Sequence, residues 1–282
     1  MKVLVFGATG QLGHALRHRE GVQALDRSQA DLSDPESCAA IIRECAADAV
    51  INAAAYTAVD RAEEEEALAI TINGTAPTRM AMAAAERNLP FLTVSTDYVF
   101  DGIGDTPHRP NDPTAPLNAY GRSKLIGEQG VRAAGGKHAI LRTSWVFSAH
   151  GNNFVKTMLR LGTTRSELNI VADQAGGPTE ARDIADTLLQ MAASLRDGAQ
   201  GGTYHYAGAL AVSWADFARE IFAQAGLAVT VSGIPSSAYP TPARRPLNSR
   251  LDCQSLSDDF GIAQPDWRAS LARVLAELDQ TP

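Results

Sequence analysis

Cysteine is scarce in this 282-residue sequence, and long apolar runs are missing from it. Cys38, Cys45 and Cys253 are odd in number and form no CxxC pair, which argues against a disulfide framework or a structural zinc site and predicts the reduced thiols of cytosol. Because no apolar run reaches about 18 residues, we expect no membrane span. The start, MKVLVFGATG, leads directly into a fold motif rather than a signal peptide. We therefore predict a cytoplasmic protein.

Positive charge is also in deficit, since the formal net charge is -7 and the pI is about 5.4. This balance argues against nucleic acid or an anionic membrane as the main partner. Hydrophobic residues at 45% and charged residues at 20% are instead typical of an ordinary globular protein. The length suits one large domain or two unequal ones.

The first strong motif is a glycine-rich turn. Residues 2–6, KVLVF, form an apolar run that predicts a central parallel strand, and Gly7, Gly10 and Gly13 follow in a GxxGxxG pattern that opens an apolar-periodic helix. Such glycines permit a tight turn, close approach of the backbone to a pyrophosphate, and close packing of helix on strand. An ordinary βα turn would show the same glycines, but their place between strand and helix favours a dinucleotide site.

The ends of the next two predicted strands also suit a dinucleotide. The strand at 22–25 ends in Asp26-Arg27, where an acid would hold the adenosine ribose and an arginine would accept a 2′-phosphate. The two residues give opposite indications, so NADH and NADPH both stay open. After the strand at 49–51, Ala53, Ala54 and Ala55 suit either a flat ring passing close to the backbone or tight helix–sheet packing.

A proton-transfer site is predicted between residues 94 and 128. Tyr120 and Lys124 are four apart, which places both side chains on one face of a helix. An ammonium beside a phenol favours the phenolate and lowers its pKa, so Tyr120 would protonate an alkoxide formed by hydride transfer. Thr96, at the end of the preceding strand, would hydrogen-bond the same oxygen. Asp97 is either a second polar contact to substrate or a helix cap.

The order of elements predicts the fold. Five β-α repeats indicate an α/β protein with a Rossmann-type, doubly wound parallel sheet and a smaller, intertwined substrate-binding α/β lobe. We assign residues 1–148 and about 202–208 to the NAD(P)-binding domain. The substrate lobe then comprises about 149–201 and 209–282, with helices predicted at 152–161, 181–195, 213–225 and 268–279.

Four further features have alternative interpretations. We interpret the charge run at 60–66, DRAEEEE, as a solvated helix face, and His14 and His18 as solvent-facing rather than metal ligands. Trp145 follows the fifth strand, where its ring would pack either against a ligand or in the core. Arg244, Arg245 and Arg250, in a proline-rich stretch, would serve either phosphate binding or solubility.

Several motifs occur together in one order: GATGQLG, NAAAYTAVDRAE, STDYVFDG, PLNAYGRSKLIGE, LRTSWVF, GNNFVKTML, DQAGGPT and RPLNSRLD. In this respect the sequence resembles the dTDP-4-dehydrorhamnose reductases of the extended short-chain dehydrogenase/reductase family, over nearly its whole length. The resemblance implies NAD(P)H-dependent reduction of the C4 ketone of dTDP-4-dehydro-L-rhamnose. The alternatives are a non-catalytic, NADP-binding regulatory subunit, and another nucleotide-sugar reductase, epimerase or dehydratase. A dehydratase would be expected to show an acid pair after Thr96, whereas Tyr98 follows Asp97 here.

The resemblance also implies the roles of individual residues. Tyr120, Lys124 and Thr96 are the expected catalytic set, and Thr96, Asp97 and Trp145 the expected substrate contacts. The expected cofactor contacts are Gly7, Gly10, Gln11, Leu12, Gly13, Asp26, Asp31, Leu32, Ala53, Ala54, Ala55, Tyr56, Thr57, Tyr120 and Lys124. Tyr56 stands where relatives often carry histidine. Some relatives are helped by Mg²⁺ at a subunit contact, but no acidic cluster clearly supplies such a site here and we predict no metal. A homodimer is expected from the resemblance alone.

Overall fold

The structure is a computed structural model, and it describes residues 1–280. Its strands are, in chain order, β1 (Val3–Phe6), β2 (Val22–Leu25), β3 (Ala49–Asn52), β4 (Phe91–Thr96), β5 (His138–Thr143), β6 (Val146–Phe147), β7 (Glu167–Val171), β8 (Ala175–Gly176), β9 (Thr179–Glu180), β10 (Gly202–His205), β11 (Val212–Ser213), β12 (Thr230–Ile234) and β13 (Asn248–Ser249). Its α-helices are α1 (Gln11–Arg17), α2 (Pro35–Glu44), α3 (Glu66–Ile70), α4 (Ala76–Glu86), α5 (Ala119–Ala133), α6 (Phe154–Gly162), α7 (Ala181–Arg196), α8 (Trp214–Gln224), α9 (Gln254–Phe260) and α10 (Trp267–Asp279).

A six-stranded sheet forms the centre of the molecule, in the order β10-β5-β4-β3-β1-β2. All its neighbouring strands are parallel. Strands β1, β3 and β5 read as apolar runs because helices cover both faces of the sheet. The chain winds in opposite directions from β1, toward β2 on one side and β3 on the other, so a crevice opens at the carboxyl ends there. The predicted doubly wound α/β sheet is confirmed.

Two helix layers cover this sheet. On one face α1 and α7 pack through apolar side chains such as Leu16 and Leu188. On the other face α2, α4 and α5 contribute Ile42, Met80 and Val131, which are fully buried. In α2, Asp34 accepts a hydrogen bond from the Ser37 N–H at 3.2 Å, so this residue is the helix cap.

A second core lies beyond the carboxyl edge of the sheet. Helices α6, α8 and α10 enclose it, and its aromatic side chains include Phe147 of β6, Phe217 of α8 and Trp267 of α10. Its strands form a parallel pair, β12 with β7, and a three-stranded group, β11-β8-β13. The chain leaves the large sheet after β5 and returns to it as β10, so the two cores are interleaved along the sequence. The division into a dinucleotide domain and a substrate lobe stays a prediction, and α7, which we assigned to the lobe, packs on the sheet beside α1.

The alanine-rich sequence at 70–87 predicts one long helix, but the structure interrupts it. Helix α3 passes into a π-helical turn at Thr71–Thr75 before α4 begins. The turn lies against α5, where a Cβ on Gly127 would come within 2.1 Å of the Asn73 carbonyl oxygen. The wider turn therefore brings this backbone close to the helix that carries Tyr120.

No helix within residues 1–280 has both the length and the apolar character needed to cross a bilayer.

Candidate active site

A cleft of about 850 Å³ opens at the carboxyl edge of the sheet, between the two cores. Its lining includes most of the residues that the sequence predicts as catalytic, cofactor-binding or substrate-binding. These are Gly7, Gly10, Gln11, Leu12, Asp31, Leu32, Ala53, Ala54, Ala55, Thr57, Thr96, Asp97, Tyr120, Lys124 and Trp145. Gly13, Asp26 and Tyr56 are not part of its lining, and each has another partner.

The glycine-rich turn forms one end of the cleft. Gly7 has φ +100°, and a Cβ there would lie 2.9 Å from the Ala54 Cβ, so only glycine fits. A Cβ on Gly13 would lie 1.9 Å from the Gly7 carbonyl oxygen, which explains that glycine by packing of α1 on β1. Gly10 has no such neighbour closer than 3.6 Å and faces the cleft. The turn therefore leaves room for a diphosphate beside bare backbone.

Asp26 and Arg27, which gave opposite indications about the cofactor, differ in their partners and in whether they line the cleft. The Asp26 carboxylate accepts hydrogen bonds from the Ser28 N–H at 2.8 Å and the Ser28 hydroxyl at 2.6 Å. These bonds lower its pKa, so it is charged and held in its own turn. Arg27 lines the cleft, and its Nε lies 3.1 Å from Asp31. Arg27, rather than Asp26, is therefore the charged group of this pair that faces the cleft.

Tyr56 is held by its backbone, while its side chain points away. Its N–H donates to the Asn73 side chain at 2.8 Å, and the Asn73 amide donates to the Tyr56 carbonyl at 3.0 Å and to Ser123 at 2.9 Å. The Tyr56 phenol donates to Glu65 at 2.6 Å. Asn73 thus joins the chain beside the cleft to helix α5, a role that its place in a predicted helix did not indicate.

The Tyr-Lys pair lies on α5 directly over the end of β4. Lys124 is buried, and its ammonium donates to the Val94 carbonyl at 2.7 Å. Burial lowers the Lys124 pKa to about 8, while the nearby Glu128 carboxylate acts to raise it. The pKa of Tyr120 is raised, first by burial and then by the charge of Asp97. The expectation that the ammonium lowers the Tyr120 pKa is therefore wrong for this arrangement, in which burial dominates.

Thr96 and Asp97 meet the phenol from the strand side. The Thr96 oxygen accepts from the Tyr98 N–H at 3.1 Å, so Thr96 is the cap of the short 3-10 turn Asp97–Val99. Its hydroxyl also lies 3.0 Å from Asp97 Oδ1. Asp97 is 2% exposed, and burial raises its pKa to about 6 against the opposing hydrogen bonds of Ser249 and Thr96. Its Oδ2 has no hydrogen-bond partner within residues 1–280.

Two stacked tryptophans form the opposite wall. The rings of Trp145 and Trp214 are parallel within 12°, with centroids 3.6 Å apart, and both line the cleft. Trp145 has φ +50°, which bulky residues rarely adopt. A Cβ on Gly176 would lie 2.8 Å from the Trp145 ring. Trp145 thus contributes to the second core and to the cleft surface together, and Trp214 is a site residue that sequence reasoning missed.

The charge run at 60–66 is exposed at Arg61, Glu63 and Glu64, as expected of a solvated face, but it does not form an α-helical face. It contains only the 3-10 turn Arg61–Glu63 before α3 begins. Its carboxylates hold other segments: Glu63 accepts from the Ala119 N–H at 2.8 Å, Glu66 pairs with Arg122 at 2.7 Å, and Asp60 receives both Arg245 terminal nitrogens at 2.7 and 2.8 Å. The run fixes the start of α5 and the proline-rich segment.

The other candidate clusters do not converge on the cleft. Arg245 is paired with Asp60, and Arg250 contacts Asn248 at 3.1 Å. The His14 ring lies against the His150 ring, with centroids 3.5 Å apart and planes tilted by 32°, so it is not simply solvent-facing. Within residues 1–280, no three His, Cys, Asp or Glu side chains gather as a metal-ligand set.

A Rossmann sheet, a glycine turn and a Tyr-x-x-x-Lys helix at one cleft define an NAD(P)H-dependent oxidoreductase of the short-chain dehydrogenase/reductase type. Comparison with known proteins agrees. Residues 1–280 match the family described as RmlD substrate binding domain. The chain is 46% identical to a dTDP-4-dehydrorhamnose reductase of Burkholderia thailandensis, with 99% of each chain covered. It therefore belongs to the dTDP-4-dehydrorhamnose reductase family.

Solved structures of relatives share the fold closely. A dTDP-4-dehydrorhamnose reductase from Clostridium acetobutylicum superposes with a TM-score of 0.93 at 37% identity, covering 99% of this chain and 100% of that one. One from Bacillus anthracis, solved in complex with NADP, also gives 0.93, at 34% identity with 98% and 100% covered.

Proposed function

We propose that this protein reduces the C4 ketone of dTDP-4-dehydro-L-rhamnose with NAD(P)H, giving dTDP-L-rhamnose. The observation that carries the proposal is the meeting of Tyr120, Lys124 and Thr96 with the glycine turn in one cleft. Family membership supports the substrate. The absence of an acid pair after Thr96 weighs against a dehydratase, and the intact set weighs against a regulatory subunit without activity.

The chain's own residues would handle the proton of this reaction. A bound reduced nicotinamide supplies the hydride. Tyr120 donates its proton to the oxygen that becomes negative as the ketone carbon is reduced. The Tyr120 phenol carries its proton at neutral pH, since burial raises its pKa further above that range. Thr96, on the other side of the same position, stabilises the developing charge.

Cofactor binding is assigned to three surfaces of the cleft. Gly10 and its neighbours would hold the diphosphate, Arg27 and Asp31 would face the adenosine ribose, and Lys124 would contact the nicotinamide ribose. Gly13 supports the turn by packing, and Asp26 and Tyr56 act through the turns they stabilise. The fit of the cradle is supported by the close approach of Gly7 to Ala54.

Substrate binding is assigned to the opposite wall and to the end of β4. Trp145 and Trp214 offer flat apolar surface to the sugar nucleotide, and Asp97 offers a buried carboxylate with a free oxygen. We place the enzyme in the cytoplasm, which suits the buried free thiols of Cys38 and Cys253. A homodimer rests on the family resemblance.

A direct assay tests the proposal. Purified protein with dTDP-4-dehydro-L-rhamnose should oxidise NADPH or NADH, measured by loss of the reduced-nicotinamide absorbance. Tyr120→Phe should lower kcat by about 10²- to 10⁴-fold, the usual contribution of a general acid, while NADPH affinity stays close to wild type. Failure to oxidise either cofactor with this ketosugar would refute the proposed reaction. A wild-type rate matched by Tyr120→Phe would refute the assigned role of the phenol.

A further inference from the structure

Glu128 lies beneath the active site on the same face of α5 as Tyr120 and Lys124. The three residues follow at intervals of four, so their side chains form one row along the helix. Glu128 is 1% exposed, and the cleft does not include it. Burying a carboxylate one helical turn from a buried ammonium costs free energy of folding unless both groups have hydrogen-bond partners.

The Glu128 carboxylate has hydrogen bonds at both oxygens. Arg142 of β5 donates from Nε to Oε1 at 2.8 Å and from Nη2 to Oε2 at 2.6 Å, a two-pronged pair. The Ser95 hydroxyl of β4 donates to Oε1 at 2.6 Å. Burial acts to raise the Glu128 pKa, but the hydrogen bonds and charge of Arg142, the hydrogen bond of Ser95 and the charge of Arg132 together outweigh it. The pKa therefore lies below its usual range, and the group is charged.

These contacts fasten α5 to the strand end that carries Thr96. Lys124 is bonded to the carbonyl of Val94, and Glu128 is bonded to the side chain of Ser95. Adjacent strand residues therefore hold successive turns of the helix. The next strand residue is Thr96, and the preceding helix turn carries Tyr120. The relative placement of Thr96 and Tyr120 thus depends on the two hydrogen bonds that Lys124 and Glu128 make with β4.

The same carboxylate also acts on the charge of Lys124. The other titratable or charged groups on the elements around this ammonium are Tyr120, Arg122, Glu128 and Arg132 on α5, Asp97 after β4, and His138 and Arg142 on β5. Of these, Glu128 is the one whose charge raises the Lys124 pKa against the effect of burial. Without it, the ammonium would lose its proton closer to neutral pH.

We propose that Glu128 is a positioning residue of this reductase: it locks α5 to the end of β4 and keeps Lys124 charged, so that Tyr120 and Thr96 stay in register at the reacting oxygen. The catalytic part of this inference rests on the proposed function. Arg142 and Ser95 hold Glu128 from the sheet side, and Arg132 on α5 donates to its Oε2 at 3.2 Å. The placement of α5 on the end of β4 comes from contacts within the chain itself and does not depend on a bound ligand.

The test compares Glu128→Gln with Glu180→Gln. Glu180 is a buried carboxylate, 2% exposed and paired with Arg273, but it lies on β9 outside the cleft. Glu128→Gln leaves the buried Arg142 without a carboxylate partner, whereas Arg273 is 43% exposed and keeps its pair with Asp183 at 2.7 Å. Both variants should therefore lower Tm, and Glu128→Gln should lower it more. Only Glu128→Gln should shift the alkaline fall of kcat/KM to lower pH, by about one pH unit. It should also weaken NADPH binding about tenfold at pH near 8.5, measured by fluorescence titration.

A double variant keeps the test decisive if Glu128→Gln folds poorly. Glu128→Gln with Arg142→Met replaces the buried pair by neutral side chains, and its Tm should recover toward wild type. The alkaline fall of kcat/KM should stay at the lower pH. An alkaline limb at the wild-type position in either Glu128 variant, or an equal shift in Glu180→Gln, would overturn the inference. If wild-type protein does not reduce the ketosugar, the proposed reaction fails, and the NADPH titrations still decide the effect of Glu128 on Lys124.

Discussion

The charge of Arg27 should decide how strongly the enzyme prefers NADPH over NADH. Its guanidinium lines the cleft next to Asp31, whereas the Asp26 carboxylate is turned into hydrogen bonds with Ser28. An Asp26 held in this way does not extend toward a ribose 2′ position. A 2′-phosphate would therefore meet Arg27 without an opposing carboxylate from Asp26. We expect NADPH to be the better cofactor.

The size of the effect follows from the exposure of the side chain. A hydrogen bond to a charged group contributes about 1.5–3 kcal/mol, but solvent screens an exposed pair toward the lower end. Arg27 is 76% exposed in its pair with Asp31. Arg27→Ala should then reduce kcat/KM for NADPH by about tenfold, equivalent to about 1.4 kcal/mol. The value for NADH should change by less than about twofold, because NADH has no 2′-phosphate to lose.

Steady-state kinetics with both cofactors measure this directly. Arg109→Ala is a matched control, since Arg109 is also 76% exposed and weakly paired, with Asp252 at 3.7 Å, but lies outside the cleft. The preference of the wild-type enzyme for NADPH over NADH should also decrease as the salt concentration is raised, because salt screens an exposed contact with the 2′-phosphate. An equal loss for NADPH and NADH in Arg27→Ala would show that Arg27 supports the turn rather than the phosphate, and would refute the reasoning.

Three further predictions concern packing, pH and substrate. Gly13→Val should lower the free energy of unfolding by about 3 kcal/mol in urea titrations, because its Cβ would overlap the Gly7 carbonyl, whereas Gly10→Ala should keep stability and weaken NADPH binding. His205 is buried, and its pKa is lowered to about 3. As the pH falls through the ordinary histidine range, the unfolded chain therefore takes up a proton at this residue while the folded protein does not. The free energy of unfolding should fall by about 2 kcal/mol from neutral pH to pH 5, and His205→Gln should flatten that fall. Trp214→Ala should raise KM for the ketosugar without changing NADPH affinity; an unchanged KM would remove Trp214 from the substrate wall.

Local patterns predicted the sheet well because each strand and turn depends on neighbouring residues. The run at 2–6 followed by Gly7, Gly10 and Gly13 places a strand, a turn and a helix through sterics alone. The spacing of Tyr120 and Lys124 likewise places both side chains on one helix face whatever the distant packing is. Strand β12 and helix α9 escaped prediction, since their short segments carry little periodicity.

Contacts between distant segments were beyond the reach of local patterns. The bond between Asp60 and Arg245 joins residues 185 positions apart, and nothing in DRAEEEE signals such a partner. The stacking of Trp214 on Trp145 has the same origin, because α8 meets the end of β5 only after the chain has folded. Burial also reversed an expectation: the phenol of Tyr120 was expected to become more acidic beside Lys124, but its enclosure makes it less acidic.

The return of the chain to the sheet as β10 has a consequence for synthesis on the ribosome. Strand β5 pairs with β4 on one side and, on the other, with Gly202–His205. Until those residues emerge, the outer edge of β5 offers unpaired backbone groups to any other extended chain. The nascent protein must therefore carry an open sheet edge through the translation of α6 and α7. Truncations that end before residue 202 should leave this edge open permanently and should aggregate rather than fold as a smaller domain.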